Sequence, residues 1–190
     1  MNENNTSQQL LYHIYPEDFR GPKLMPLNLL RNQFPDLYEE EIKKYQGREH
    51  LTKRVVPLLQ CLWNDVVHST NIHPNNFFLA MQAAGRKPKP DLLWMKIPIK
   101  YAILNPTIVY SCRTTIENPI NVPENEFSWF DIEKFETSHL DMRTQEYYKK
   151  KSEMGERIFS FQGVAHFLIQ GEIDLADCEL IHWNVGPNNK

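Results

Sequence analysis

Apolar and aromatic residues fall in short runs along this chain, and a breaker closes nearly every run. Leu10-Leu11-Tyr12-His13-Ile14-Tyr15 is stopped by Pro16, which reads as a strand followed by a loop to Pro26. Residues 27–45 read as helical with a break near Pro35. Tyr38, Ile42 and Tyr45 fall at i, i+4 and i+7, and Glu39–Lys43 and Glu40–Lys44 are favourable i,i+4 pairs. Val55 to Val67 is the most apolar region, and strand and helix remain equally open for it. Pro74 suits the first position of a helix ending at Ala84 before Gly85, and Asp141 suits the cap of a helix ending at Met154 before Gly155. Leu92–Ile97, Thr107–Cys112, Ile158–Ile173 and Cys178–Trp183 read as strands. Arg86–Pro90 reads as a stiff linker, and Thr114–Phe130, with Pro119 and Pro123, as a long loop.

This order has no regular strand–helix alternation. It predicts an α+β fold: a single domain with a mainly antiparallel sheet and flanking helices, over residues 10–190. Residues 1–9, polar throughout, are expected to form a disordered tail. At 190 residues the chain can carry its own core, and 41% hydrophobic content argues against global disorder. A net charge of -3 lacks the basic footprint of a nucleic-acid-binding domain. Three scattered cysteines suit a reducing compartment. The N-terminus does not read as a signal peptide, and no apolar stretch approaches ~20 residues, so a soluble, cytoplasmic protein without membrane insertion is expected. Export by a system that needs no such signal stays compatible with this reading.

Candidate chemistry is sparse. His68, His73 and Asp65 are close in sequence, but a spacing of five does not put two ligands on one helical face, and no metal is expected. Cys61 sits beside Leu62 and Trp63, as a core cysteine does, although a thiol site with a histidine is conceivable chemistry. Seven glycines supply no phosphate-cradling motif. Tyr147-Tyr148-Lys149-Lys150-Lys151 reads as a solvated helix face before a nucleic-acid surface. The remaining feature spans the chain ends: a strand histidine, His13, and a late glutamate, Glu172, could meet if their strands are neighbours. A histidine could then fix a ribose hydroxyl while a carboxylate stabilises a developing oxocarbenium charge.

Leu11-Tyr12-His13 resembles the opening strand motif of the ADP-ribosyltransferase superfamily, and Gln170-Gly171-Glu172 resembles its Q-x-E signature. Ala165–Trp183 also resembles the closing strands of DNA-targeting bacterial members. The resemblance implies NAD as substrate, with His13 on the nicotinamide ribose and Glu172 as the catalytic acid holding that ribose. It implies Gln170 orienting the acceptor, Tyr15 or Tyr110 stacking on the nicotinamide, and Ser69-Thr70 standing for the middle-strand motif. The acceptor implied is an unknown protein or nucleic acid. The chain departs from the pattern in two places. Ile14-Tyr15-Pro16 follows His13 where the family has Gly-Thr or Gly-Ser. Registered on the DNA-targeting members, His166 takes the place of the acid and Glu172 falls in a turn. A non-catalytic interaction protein with a degenerate site is the alternative.

Overall fold

The computed structural model describes residues 9–113 and 121–187. The expected tail therefore lies, apart from Gln9, outside the described residues, as does the 114–120 part of the long loop. In chain order the elements are β1 (Leu10–Ile14), β2 (Lys23–Leu24), α1 (Leu27–Gln33), α2 (Pro35–Ile42), β3 (Val55–Val56), β4 (Cys61–Leu62), β5 (Val67–Ser69) and α3 (Pro74–Ala83). Then come β6 (Leu93–Pro98), α4 (Lys100–Leu104), β7 (Thr107–Tyr110), β8 (Phe127–Trp129), α5 (Met142–Glu153), β9 (His166–Ile169), β10 (Ile173–Asp174) and β11 (Glu179–His182).

The fold is α+β, and all its strand pairs are antiparallel. One sheet has the order β1-β6-β11 and a second the order β5-β9-β7-β8. They meet at a seam. Thr70, one residue beyond β5, exchanges two backbone hydrogen bonds with Tyr12 at 2.8 and 3.0 Å. The first and last parts of the chain thus reach the middle of the molecule: β1 lies beside β5, and β5 beside β9.

Strand alternation sorts the side chains into separate cores. On one face of the second sheet Ile108, Tyr110 and Leu168 pack with Leu27, Tyr38 and Tyr45 from the α1–α2 region. On the other face Val67, Phe167 and Ile169 join Leu11, Met95 and Ile97 of the first sheet. The far face of the first sheet buries Tyr12 and Trp94 under Phe77 and Met81 of α3, Tyr148 of α5, and Trp183. Among the described residues no helix is long and apolar enough to cross a membrane.

Three expectations change in detail. The region over 27–45 breaks at Pro35 as the sequence predicts, with Pro35 opening α2 at its first position, but it ends in a 3-10 turn at Lys43–Tyr45 rather than in α-helix. Its ion pairs are accordingly Glu40–Lys43 and Glu41–Lys44 at i,i+3, as three residues per turn requires. Ile158–Ile173 is not one strand. Gly163, at φ 74, and the turn at Gly171 confine the ladder to His166–Ile169, with Ile173–Asp174 turning away to pair with β2. The end of the expected loop, Phe127–Trp129, is a strand on β7, while the ambiguous Val55–Val67 segment forms the β3–β4 ribbon and the start of β5.

Candidate functional site

Neighbouring strands bring three histidines into one line across the seam. His13 of β1 donates from Nδ1 to the backbone carbonyl of His68 at 2.5 Å. His68 of β5 lies 5.8 Å, ring centre to ring centre, from His166 of β9. Across the β7–β9 ladder Tyr110 is the register partner of His166 and stacks on it at 5.6 Å. Trp63 closes the group, 4.5 Å from His68 and 5.6 Å from His166, and Phe161 meets the edge of His166 at 5.7 Å.

This enclosure sets the charge state. Burial holds the pKa of His13 and of His166 down to about 4, and that of His68 well below its ordinary value, so all three rings are neutral at pH 7. Their tautomers follow from their partners. A carbonyl only accepts, so His13 carries its proton on Nδ1 and presents a lone pair at Nε2. His68 Nε2 faces the Trp63 carbonyl at 2.7 Å, which leaves its lone pair on Nδ1.

His13 and His68 also border a cavity of about 70 Å³ between the strands and the α1–α2 pair. Its inner wall is apolar, with Leu24, Leu27, Leu30, Val66 and Val67. Its charged side chains are paired among themselves or just outside: Lys23 with Glu172 at 2.8 Å, Arg20 with Asp36 at 2.5 Å, and Lys44 with Glu41 at 3.1 Å. Among the described residues Glu41 is the one carboxylate on this wall.

The residues expected at the site distribute as follows. His13 lines the cavity. Glu172 lies in the β9–β10 turn, behind Lys23, and Gln170 occupies the same turn with its backbone N–H on the Pro106 carbonyl. Gly171 between them is fixed by a close approach: a Cβ there would fall 2.4 Å from Asn105 Oδ1. His166 and Tyr110 sit inside the aromatic group, 6% and 1% exposed. Ser69 and Thr70 are both fully buried. The Ser69 hydroxyl donates to the Phe167 carbonyl at 3.1 Å, and the Thr70 hydroxyl accepts from the Ile72 N–H. Tyr15 stacks on Phe19 and borders a different cavity beside Trp183. The structure therefore brings His13, Ser69-Thr70 and His166 side by side on three adjacent strands, with Tyr110 on the fourth, and leaves Tyr15, Gln170 and Glu172 outside that line.

In the sequence His68 stands out only beside His73 and Asp65, as a metal group that their spacing disfavours, and its place next to His166 carries no signal there, while Asn64 escapes the sequence reading altogether. Asn64 stands in a 3-10 turn, Trp63–Asp65, that the apolar pattern of Val55–Val67 conceals. It is 2% exposed and borders the cavity. The thiols add no nucleophile: burial pushes Cys61 up to about 11 and Cys112 up to about 12, so both are protonated at neutral pH. Among the described residues no group of three or more His, Cys, Asp or Glu is arranged to hold a metal ion. No family model, curated protein or solved structure matches this chain.

Proposed function

We propose that this chain is an ADP-ribosyltransferase-like protein that binds NAD at the β1–β5 seam and holds it without transferring ADP-ribose. What supports the binding half is adjacency. The segments that resemble the superfamily, on β1, β5 and β9, are neighbours in that order, and His13 borders a cavity where its Nε2 lone pair can accept from a ribose hydroxyl.

The single observation that carries the second half is the nature of His166. As nicotinamide leaves, the ribose becomes an oxocarbenium ion, and catalysis needs a fixed negative charge beside it. The strand next to β5 offers a neutral, enclosed imidazole instead, and Glu172 is held in an ion pair with Lys23 one turn away. A neutral ring accepts a hydrogen bond but brings no compensating charge.

The test separates binding from turnover. Millimolar NAD is expected to raise the thermal midpoint of the wild type, with the increase lost in His13→Ala. Incubation is expected to release no nicotinamide. Absence of any NAD-dependent shift would remove the binding reading. Nicotinamide release that disappears in Glu172→Gln would replace the holding protein by an active transferase.

A further inference from the structure

The run Tyr147–Lys151 on α5 reads from the sequence as a solvated helix face. In the fold it gains two arginines from other segments. Tyr148 is fully buried and donates its hydroxyl to the Ser160 carbonyl at 2.5 Å, and Arg86 donates to the carbonyls of Lys151 and Glu156. These bonds hold residues 156–160 against the end of α5. The half-buried Phe159 ring is thereby placed within reach of two guanidiniums, Arg48 at 3.7 Å from its centre and Arg157 at 4.9 Å. Both are cation–π distances, so two cations remote in sequence share one ring.

These like charges converge without an acid to offset them. Arg48 is half-buried and Arg157 exposed, and neither forms an ion pair among the described residues. Carboxylates on the same segments are engaged elsewhere: Glu41 with Lys44, Glu49 with the Gly47 N–H, and Glu156 with Lys151. Burial, and then the nearby Arg157 charge, push the Arg48 guanidinium below its ordinary pKa, yet an arginine stays charged at neutral pH. Arg48 Nη2 donates to the Lys44 carbonyl at 2.6 Å and Nε is buried, whereas Nη1 is neither buried nor bonded to a described residue. Two cations held together repel, and an anion carrying two charges turns that repulsion into attraction.

The charge and the setting narrow the ligand. A phosphomonoester carries about two negative charges at neutral pH and three acceptor oxygens, which suit the N–H groups of two guanidiniums. A carboxylate or a phosphodiester brings one charge. Neither arginine nor Phe159 borders the seam cavity or the cavity beside Trp183, and Arg157 is exposed, so this is a surface site. A small free ligand needs a concavity that covers it, whereas a phosphate on a larger partner gains its remaining contacts from that partner. A phosphate backbone fits less well. The net charge of -3 gives no long-range attraction for a polyanion, and the exposed Glu146 and Glu153 interrupt the basic run on α5.

We infer that Arg48 and Arg157, set on Phe159, form a recognition site for a phosphorylated side chain of a protein partner. Arg48 donates to the phosphate through Nη1 and Arg157 through its guanidinium, while Phe159 holds both cations in place. This surface lies apart from the seam and does not rest on the NAD reading.

The probes are an array of short peptides carrying one phosphoserine or phosphotyrosine, each beside its unphosphorylated twin, with the full chain applied at neutral pH. Phosphorylated members are expected to bind in a sequence-dependent way, and their twins at least about tenfold more weakly. Displacing the tightest phosphopeptide is expected to take at least about tenfold more inorganic phosphate or dimethyl phosphate than the free phosphopeptide itself. Arg157→Gln removes an exposed cation that no carboxylate neutralises. Its thermal midpoint is expected to stay at the wild-type value while phosphopeptide affinity falls at least about tenfold. Equal binding of the twins, or unchanged phosphopeptide binding in Arg157→Gln, would overturn the inference. Inorganic phosphate displacing the peptide at an equal concentration would make this a free-anion site instead. An oligothymidylate with a 5′-hydroxyl, which offers diesters alone, would put nucleic acid in the partner's place if it displaced the peptide at a lower concentration.

Discussion

At the scale of the residue, the most consequential side chains are imidazoles kept neutral by enclosure. His13, His68 and His166 all titrate well below the 6.5 of a free histidine, His13 and His166 near 4. In the unfolded chain each regains its ordinary pKa, so between about pH 6.5 and 4 the unfolded state binds more protons. Stability is therefore full above pH 6.5 and falls as acid passes through that window, by up to about 1.4 kcal/mol per pH unit for each histidine. Urea unfolding at pH 7, 6 and 5 should show a falling midpoint. His166→Phe, which keeps an aromatic ring against Tyr110 and Trp63, should make that fall shallower. An unchanged pH slope would mean that His166 is not held neutral by its surroundings. The sequence marked His13 as a strand histidine near the start of the chain, and His166 through the register of its segment on the family it resembles. It could not show the enclosure of His166, which Trp63 and Tyr110 supply from remote segments and Phe161 from the same one.

At the scale of the element, the signals at the ends of two helices were read correctly because they act through the backbone. α3 begins at Pro74, and Gly85 beyond it adopts φ 80. α5 is capped by Asp141, which accepts from the Thr144 N–H at 2.7 Å, and Gly155 follows it at φ 69. These are one-residue mechanisms with a fixed offset. β8 was missed because Phe127–Trp129 is three residues long among prolines and acids, and it is a strand only because β7 offers it a ladder. Val55–Val67 stayed ambiguous for a similar reason: the turn at Gln60, with φ 49, uses a residue that announces no turn. The Gln170-Gly171-Glu172 turn shows how a motif can be spelled by packing. Gly171→Ala should lower the unfolding free energy by about 1–3 kcal/mol, because the new methyl collides with Asn105. Asn105→Ala in the same chain should recover much of that loss. A neutral Gly171→Ala in urea titration would show that Asn105 moves aside freely. This steric role does not depend on chemistry by Gln170 or Glu172, so the packing around Gly171 is reason enough for a glycine at that place.

At the scale of the molecule, the α+β class and antiparallel sheet were legible because they follow from the order of runs and breakers along the chain. The division into two sheets was not, since it depends on where β1 and β5 meet. That seam has a consequence for how the protein breathes. Within β1–β6 and β5–β9 the strands are tied by ladders of three to five register pairs, whereas Tyr12 and Thr70 form a single bridge between the sheets. Opening of a native protein follows its weakest boundary, and units on either side tend to open together. Amide deuteration should therefore be fastest, among buried strand positions, at Tyr12 and Thr70, and slower at Met95 and Leu168 in the interiors of the two sheets. A ligand lodged beside His13 and His68 would touch both halves, so it would act as a clasp, slowing deuteration at the seam more than elsewhere. The line along which the two halves part most readily is then also the line along which binding would be felt.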